Sequence, residues 1–126
     1  MEQLSRIQKR NNLNEVFVAD TAHPVNKGHH VYAVRYVAPG IENTPVATVV
    51  EIKFQNGPRN EKDSIPGVLD TDLLEIVRHR LQSFQSGPYA TRENAMALTH
   101  LEESLMWMNK RVEDRAEQGT LGTNKV

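Results

Sequence analysis

The fold is decided by residues 70–119, which read DTDLLEIVRHRLQSFQSGPYATRENAMALTHLEESLMWMNKRVEDRAEQG. In the first part, apolar residues recur at helical spacing after a capping Asp70 or Thr71 and stop at a Ser-Gly-Pro turn, which predicts a helix near residues 71–86. The second part, 92–118, has neither glycine nor proline and predicts a longer helix that ends at the following glycine. Because the connection is short, the two helices are predicted to pack as an antiparallel hairpin.

Before the hairpin, three runs of β-branched and aromatic residues predict strands at 16–18, 31–37 and 46–54. Turn-forming residues separate them, and the connections are short enough for an antiparallel meander. In the third run, alternate residues from Val46 to Phe54 share one parity, so we expect one face of that strand to be buried. The predicted fold class is therefore α+β, with an N-terminal small antiparallel β-sheet followed by a C-terminal antiparallel helical hairpin.

The length of 126 residues favours one domain with one modest core. We divide this predicted single domain, residues 1–126, into a polar arm or short helix (1–14), an antiparallel sheet (15–55), a loop (56–70), the helical hairpin (71–118) and a tail (119–126). No apolar run approaches the roughly 20 residues of a membrane span, which predicts a soluble, intracellular protein.

The balance of charges argues against a protein that binds nucleic acid through its whole surface. The chain has 15 Lys and Arg against 16 Asp and Glu, so a polyanion would need a local basic patch. It has no cysteine, which excludes thiol catalysis, disulfides and cysteine-bound zinc. Its 5 histidines show neither metal-ligand spacing nor an acid–base pairing with carboxylates. We therefore predict no catalytic residue, no metal site, no cofactor and no enzyme activity.

The apolar stripe of the second helix ends in polar residues that indicate ligand binding. It steps by three and four residues from Leu98 to Val112, and the same stepping reaches Asn94 at one end and Arg115 at the other. Arg111 lies one turn from Arg115, so two guanidinium groups point at one neighbourhood and suit the oxygens of a diphosphate. The alternative is that both arginines form ion pairs with carboxylates on a solvated helix face.

A second group of candidate residues lies at the hairpin turn. Phe84 closes the first helix, Thr91 caps the second, and Asn94 lies in its first turn, so an aromatic face lies near an amide. A flat base stacks on such a ring, and a carboxamide pairs with the edge of adenine. The alternative is that Phe84 belongs to the core.

The spacing of these candidates favours a site shared between chains. Asn94 and Arg115 are 21 positions apart, which is about 30 Å along a helix and too far for one small ligand. If two chains pack antiparallel, Phe84 and Asn94 of one approach the arginines of the other, which gives two equivalent pockets. Arg59, in the loop before the first helix, is expected near Arg111 of its own chain as a third cation.

Short segments along residues 54–125 recur in the same order in a known family. They are Phe54-Gln55-Asn56-Gly57-Pro58, Asp72-Leu73-Leu74-Glu75-Ile76-Val77, Phe84-Gln85-Ser86-Gly87, Arg92-Glu93-Asn94-Ala95, Leu101-Glu102-Glu103, Trp107-Met108-Asn109-Lys110-Arg111, Arg115 and Gly119-Thr120-Leu121-Gly122-Thr123-Asn124-Lys125. Together they resemble the first type of phage Thoeris anti-defence protein. The hairpin is also similar to that of the anti-CBASS cyclic-nucleotide sponge family.

This resemblance implies viral immune evasion by signal sequestration. Such a sponge holds glycocyclic ADP-ribose in the host cell cytoplasm, releases it unaltered, and blocks bacterial Thoeris defence. The resemblance implies a homo-oligomer, a dimer or a hexamer, with the ligand site shared between chains, and neither a membrane nor a nucleic acid polymer as partner. It places ligand contacts at Arg59, Phe84, Asn94, Arg111 and Arg115.

Two other functions remain open on the sequence. The first is a sponge for the cyclic di- or trinucleotides of CBASS-type defence, because those ligands also need stacked bases and paired phosphates. The second is a nucleic-acid or protein adaptor that uses Arg78, His79 and Arg80 with the arginines of the second helix as a basic surface. An enzyme that cleaves the messenger is disfavoured, because no residues form a plausible acid–base pair.

Overall fold

A computed structural model describes residues 1–8, 14–37, 45–119 and 121. The chain divides into two compact units, 1–54 and 55–126, and each is described by itself. The single domain predicted for residues 1–126 stays a prediction. Most of the turn predicted between the second and third strands, and most of the predicted tail, lie outside the described residues.

The N-terminal unit is an antiparallel sheet of four strands in sequential order, which confirms the predicted sheet class. Each strand pairs with its neighbours in the chain, as expected of a meander of β-branched runs. The strands are β1 (Glu2–Gln3), β2 (Asn14–Val18), β3 (Val31–Val37) and β4 (Pro45–Lys53).

The sequence predicts a polar arm or short helix over residues 1–14; residues 9–13 lie outside the described residues, and β1 corrects the prediction at Glu2–Gln3. Gln3 pairs with Phe17 of β2. Glu15 is buried, and its carboxylate accepts hydrogen bonds from the side chains of Gln3 and Arg6. A buried carboxylate requires such partners, so polar contacts hold a segment whose sequence has no strand pattern.

A β-bulge in β4 overturns the single buried face predicted from parity. At Val49 the strand has one residue more than β3, so Thr48 and Val50 face opposite sides of the sheet. Residues 47–50 are all exposed. The core of this unit lies on β2 and β3, where the buried apolar side chains among the described residues are Val18 and Ala33.

The turn between β2 and β3 is held by Asp20. One carboxylate oxygen accepts the backbone N–H of His30 at 2.8 Å, and the other lies 3.2 Å from Nδ1 of His29. Desolvation opposes the charged form, but the hydrogen bonds from His30 and His29 outweigh it and lower the pKa of Asp20 below its ordinary value of 3.8. The ionised carboxylate therefore stabilises the folded turn.

The C-terminal unit contains the predicted hairpin, formed by α1 (Asp70–Gln85) and α2 (Arg92–Glu117). The cap predicted for α1 at Asp70 or Thr71 is wrong, because the N-cap is Leu69. Asp72 supplies the polar group instead, since its carboxylate accepts the Leu69 N–H at 2.8 Å. At the far end of α2, Gly119 adopts a φ of 71°, which suits glycine and stops the helix as predicted.

A two-way hydrogen bond closes the hairpin turn. The Gln85 carboxamide donates to the Thr91 carbonyl and accepts the Thr91 N–H, both at 2.9 Å. The Thr91 hydroxyl in turn accepts the Asn94 N–H at 3.0 Å, so Thr91 caps α2 as predicted. These bonds fix where α1 ends and α2 begins.

The hairpin leaves much of its apolar surface uncovered. Neither helix has a buried residue, although Leu98, Leu101, Leu105 and Met108 are half-buried along the predicted stripe. Ile76, Met106 and Trp107 are 58%, 67% and 72% exposed. Two helices alone do not enclose side chains of this size, so both helices present apolar surface that the described residues do not cover.

Candidate anion-binding site

One surface cavity of the C-terminal unit gathers three arginines. Its volume is about 500 Å³, and its lining includes Arg59, Arg111 and Arg115. The rest of the lining consists of Gln55, Gly57, Pro58, Asn60, Leu69 and Leu121, so none of the described residues around the cavity is a carboxylate. Three guanidinium groups in one lining offer donors that suit an anion with several oxygens. We call it the arginine cavity.

Arg59 is held at the arginine cavity by Gln55. Nη2 of Arg59 donates to Oε1 of Gln55 at 2.9 Å, and the same oxygen accepts the Gly67 N–H at 3.2 Å. Nε2 of Gln55 donates to the Gly57 carbonyl at 3.0 Å. A guanidinium has five N–H donors, and the bonds to the described residues use only Nη2. The Nε and Nη1 donors of Arg59 are therefore available to a ligand.

The loop that carries Arg59 needs glycine at position 57. Gly57 has a φ of 92°, and a Cβ there would lie 2.6 Å from Oγ of Ser64. On either side of this close approach, Asn56 and Ile65 form an antiparallel bridge. Only glycine permits both the positive φ and the contact, so the position of Arg59 depends on this turn.

The end of α2 supplies the other two arginines. Arg111 and Arg115 are one turn apart, and Arg115 lies in the last turn of α2, where cations are favoured. The predicted proximity of Arg59 and Arg111 within one chain is confirmed, since both line the arginine cavity. The ion-pair alternative holds for a neighbour, because Lys110 pairs with Asp114 at 2.9 Å. Arg111 forms no such pair among the described residues.

The hairpin turn presents the two remaining candidates. Phe84 is 44% exposed, so the alternative that it belongs to the core is wrong. Its ring packs edge-on against Tyr89, with centroids 6.5 Å apart, and the Arg80 guanidinium lies 5.5 Å from its centroid. The backbone N–H of Asn94 is bound to the cap. Its carboxamide forms no hydrogen bond with the described residues and remains available to a ligand.

The five predicted ligand residues therefore do not meet in one chain. Arg59, Arg111 and Arg115 lie together at the open end of the hairpin. Phe84 and Asn94 lie at the turn, and about 30 Å of helix separates Asn94 from Arg115. A small ligand that contacts both groups requires two chains.

A second cavity of the hairpin has a different charge pattern. It has a volume of about 400 Å³ and is lined by Thr71, Glu75, Arg78, Glu102, Leu105, Met106, Asn109 and Val112. Nε of Arg78 donates to Glu102 at 2.9 Å, and Nη1 lies 3.4 Å from Glu75. The hydrogen bonds from Glu102 and Glu75 raise the pKa of Arg78 above its ordinary value. This Arg78 groove does not favour an anion, and its ion pairs argue against a basic surface built on Arg78.

The role of Gln55 was not predicted from the sequence. Gln55 lies in a segment that matches the family, and in the structure it forms hydrogen bonds with Arg59, Gly57 and Gly67. The only available signal was a glutamine four positions before a loop arginine. That spacing does not predict contact outside a helix, so the role appears only in three dimensions.

The sheet, the hairpin and the arginine cavity define an α+β protein with a cationic site on a helical hairpin. In the described ranges, no helix is long and apolar enough to cross a membrane, and no group of three His, Asp or Glu residues is placed to hold a metal ion. The family model described as Acb2/Tad1, hairpin domain, matches residues 47–113, more than half of the chain. The chain belongs to this Acb2/Tad1 hairpin-domain family.

The chain is also similar to a phage protein named Thoeris anti-defense 1, from Bacillus phage SBSphiJ7. The two are 47% identical over 74 residues, which make up 59% of this chain and 51% of the relative. The chain thus spans about half the length of this relative. Together with the family match, the similarity confirms the resemblance found in the sequence. The family match contains Arg59, Phe84, Asn94 and Arg111.

Proposed function

We propose that this protein sequesters a glycocyclic ADP-ribose immune signal without degrading it and thereby blocks bacterial Thoeris anti-phage defence. The observation that carries the proposal is the arginine cavity, where Arg59, Arg111 and Arg115 line one space with no carboxylate among its described lining residues. The diphosphate of such a messenger has several anionic oxygens, and guanidinium groups bind them in pairs. The name of the phage relative supports the same defence system.

The base of the messenger binds at the hairpin turn. The exposed ring of Phe84 offers a stacking face, and the carboxamide of Asn94 has a donor and an acceptor for the edge of an adenine. Stacking and hydrogen bonding at the turn orient the base, while the arginines supply most of the attraction for the phosphates. The aromatic and amide groups at the turn thus match the base, and the guanidinium groups of the arginine cavity match the phosphates.

The active form is a homo-oligomer, a dimer or a hexamer, in which each site is shared between chains. The separation of about 30 Å between the two groups of residues supports this. The uncovered apolar surface of both helices, which includes Ile76 of α1 and Met106 of α2, supplies the area for association. In an antiparallel pair related by a two-fold axis, the turn of each chain lies beside the arginine cavity of the other.

Binding in this proposal involves no bond cleavage. The protein acts without a catalytic residue, metal or cofactor, and only hydrogen bonds, ion pairs and stacking hold the messenger. It acts in the host cell cytoplasm, where the messenger would be met, and neither a membrane nor a nucleic acid polymer is its partner. Tight, stoichiometric capture is then sufficient to silence the signal.

Titration calorimetry with glycocyclic ADP-ribose tests the proposal, followed by heat denaturation and chromatography of the released compound. We expect saturable binding and release of the unaltered messenger. An altered product would replace sequestration with catalysis, and no heat of binding would refute the proposed ligand. A competing cyclic dinucleotide would displace the messenger only if both occupy one site. Binding of single- or double-stranded DNA at low salt, lost steeply as salt rises, would instead identify the adaptor.

A further inference from the structure

The C-terminal unit carries an exposed tryptophan that the proposed site does not use. Trp107 is the only tryptophan of the chain, and 72% of it is exposed. It lies at the edge of a surface depression of about 460 Å³ on the last turns of α2. The depression is also lined by Lys110, Arg111, Asp114, Arg115 and Gln118. We call it the tryptophan depression.

The tryptophan depression adjoins the arginine cavity. Arg111 and Arg115 line both spaces, so the two are separated by no more than these side chains. Trp107 precedes Arg111 by one helical turn, which places the two Cβ atoms about 6 Å apart on neighbouring parts of the helix surface. A group attached to a phosphate bound by Arg111 is therefore within reach of the indole.

The charges around Trp107 suit a ring that carries a phosphate. Asp114 is the one carboxylate among the described residues of this lining, and Lys110 neutralises it at 2.9 Å. Arg111 has no carboxylate partner among the described residues, so the depression keeps a cationic side next to an aromatic face. An aromatic face can stack on any nucleotide base, because every base is flat, and a nearby cation can bind the phosphate of the same nucleotide.

We infer that Trp107 forms a stacking subsite for a planar base or the ring of a phosphate-bearing nucleotide ligand, extending the arginine cavity along α2. The inference rests on the proposed function, because it uses the same arginines for the phosphate. A ligand held at both places contacts the indole face as well as the guanidinium groups. Five polar side chains, four of them charged, line the depression with the indole, whereas the centre of a contact between two protein chains is depleted of charge.

The single tryptophan makes the test direct, because all indole fluorescence of the chain comes from this position. Glycocyclic ADP-ribose is titrated into the wild-type protein and into Trp107→Leu and Trp107→Phe variants, with calorimetry for affinity and light scattering for mass. Inorganic pyrophosphate, which has no ring, is the control ligand for fluorescence. We expect the messenger, and not pyrophosphate, to quench the wild-type fluorescence with a saturable curve.

Leucine keeps an apolar side chain but has no flat face, so Trp107→Leu should weaken binding by about 5- to 100-fold. Trp107→Phe retains a stacking face and should stay within about 3-fold of wild type. Unchanged affinity of the Trp107→Leu variant would overturn the inference. A loss of affinity accompanied by a smaller oligomeric mass would also overturn it and would show that Trp107 acts in assembly.

Failure of the proposed function gives a different result. If wild-type calorimetry shows no binding of glycocyclic ADP-ribose, that ligand is refuted, and the subsite is tested with cyclic di-adenosine monophosphate, which carries two bases and two phosphates. Saturable quenching by this compound, with the mass and the fold of the protein unchanged, supports the subsite for that ligand class. Absence of quenching by either compound overturns it.

Discussion

Two cavities on the same helical hairpin contain arginine, and they differ in what surrounds it. In the Arg78 groove, Glu102 and Glu75 lie 2.9 and 3.4 Å from the guanidinium. In the arginine cavity, Arg59 donates to two neutral acceptors, the amide of Gln55 at 2.9 Å and the Gly67 carbonyl at 3.5 Å. The first arrangement satisfies the cation within the protein and links α1 to α2. The second orients a cation without neutralising it, which leaves its charge for a ligand.

The difference shows that counting arginines does not locate an anion site. Arg78, with its neighbours His79 and Arg80, forms a denser basic run than any in the arginine cavity. Its charge is nevertheless used internally, because Arg78 forms ion pairs with Glu102 and Glu75. The charge of the side chain that accepts from an arginine decides whether that arginine is neutralised within the protein or is available to an anion.

Removal of a cavity arginine should have the largest effect. Arg111→Ala should weaken binding of glycocyclic ADP-ribose by about 100-fold or more, because a charge-assisted phosphate contact is lost without replacement. The melting temperature and the oligomeric mass should stay close to wild type, since Arg111 forms no ion pair among the described residues. Calorimetry and circular dichroism provide the measurements. An Arg111→Ala protein that binds normally would show that the arginine cavity is not the phosphate site.

Mixed oligomers should recover part of that loss. Chains with Arg111→Ala and chains with Asn94→Ala are each expected to form assemblies without tight binding. In a dimer that contains one of each, one pocket has both defects and the other has none, so one full-affinity site should return per dimer. Differently tagged chains, purified through both tags, allow the stoichiometry to be measured by calorimetry. If no site returns, the two groups of residues do not meet across a pair of chains.

A single substitution can give the arginine cavity the charge pattern of the Arg78 groove. Gln55→Glu keeps the shape of the side chain but places a carboxylate against Arg59, as Glu102 is placed against Arg78. We expect affinity to fall by about 10-fold or more through neutralisation of Arg59 and repulsion of the phosphates. Gln55→Ala, which removes the support without adding charge, serves as the control and should cost less, about 3-fold. Equal affinity of the glutamate variant and wild type would contradict the role assigned to the neutral amide.

The reverse change in the Arg78 groove should affect stability more than binding. Arg78→Ala removes two partly exposed ion pairs, and solvent screening keeps the contribution of such pairs to stability small. The melting temperature should fall by about 2 to 4 °C, while affinity for the messenger stays within about 3-fold. A thermal melt and the calorimetric titration check both expectations. A large loss of affinity at unchanged stability would move the anion site to the Arg78 groove.

The smallest effect is expected for a carboxylate that lines neither cavity. Asp20→Asn removes a charge whose folded pKa lies below 3.8, so Asp20 contributes stability above that pH, and the contribution is lost as the pH falls through the folded pKa. The variant should melt about 1 to 3 °C below wild type at pH 7, and the gap should close below pH 4. Ligand affinity at pH 7 should be unchanged. A gap that persists at pH 3 would indicate lost packing rather than lost charge.

The sequence predicted the hairpin well because its apolar residues recur with the helical period and its ends carry Thr91 and Gly119. It did not predict β1, since a two-residue strand has no pattern and Glu2–Gln3 is held by pairing with β2 and by polar contacts to Glu15. The bulge at Val49 was equally hidden, because parity assumes an unbroken ladder.

For the candidate site, spacing alone led to Arg111, and the position of the loop led to Arg59. What spacing does not reveal is which arginine has a carboxylate partner. Glu102 is 24 positions from Arg78, and only the packing of α1 on α2 brings them together. The contrast between the two cavities is therefore a property of the folded hairpin.

The two hydrogen bonds between Gln85 and Thr91 fix the hairpin turn, which is the point about which the angle between α1 and α2 can change. Arg59 precedes α1 and Arg111 lies near the end of α2, in its second-to-last turn, so the opening of the arginine cavity depends on the angle between the two helix axes. At about 30 Å from the pivot, a change of about 5° in that angle displaces the arginines by about 2.5 Å, the difference between a hydrogen bond and none. The geometry of the arginine cavity therefore depends in part on an amide about 30 Å away, at the other end of the same hairpin.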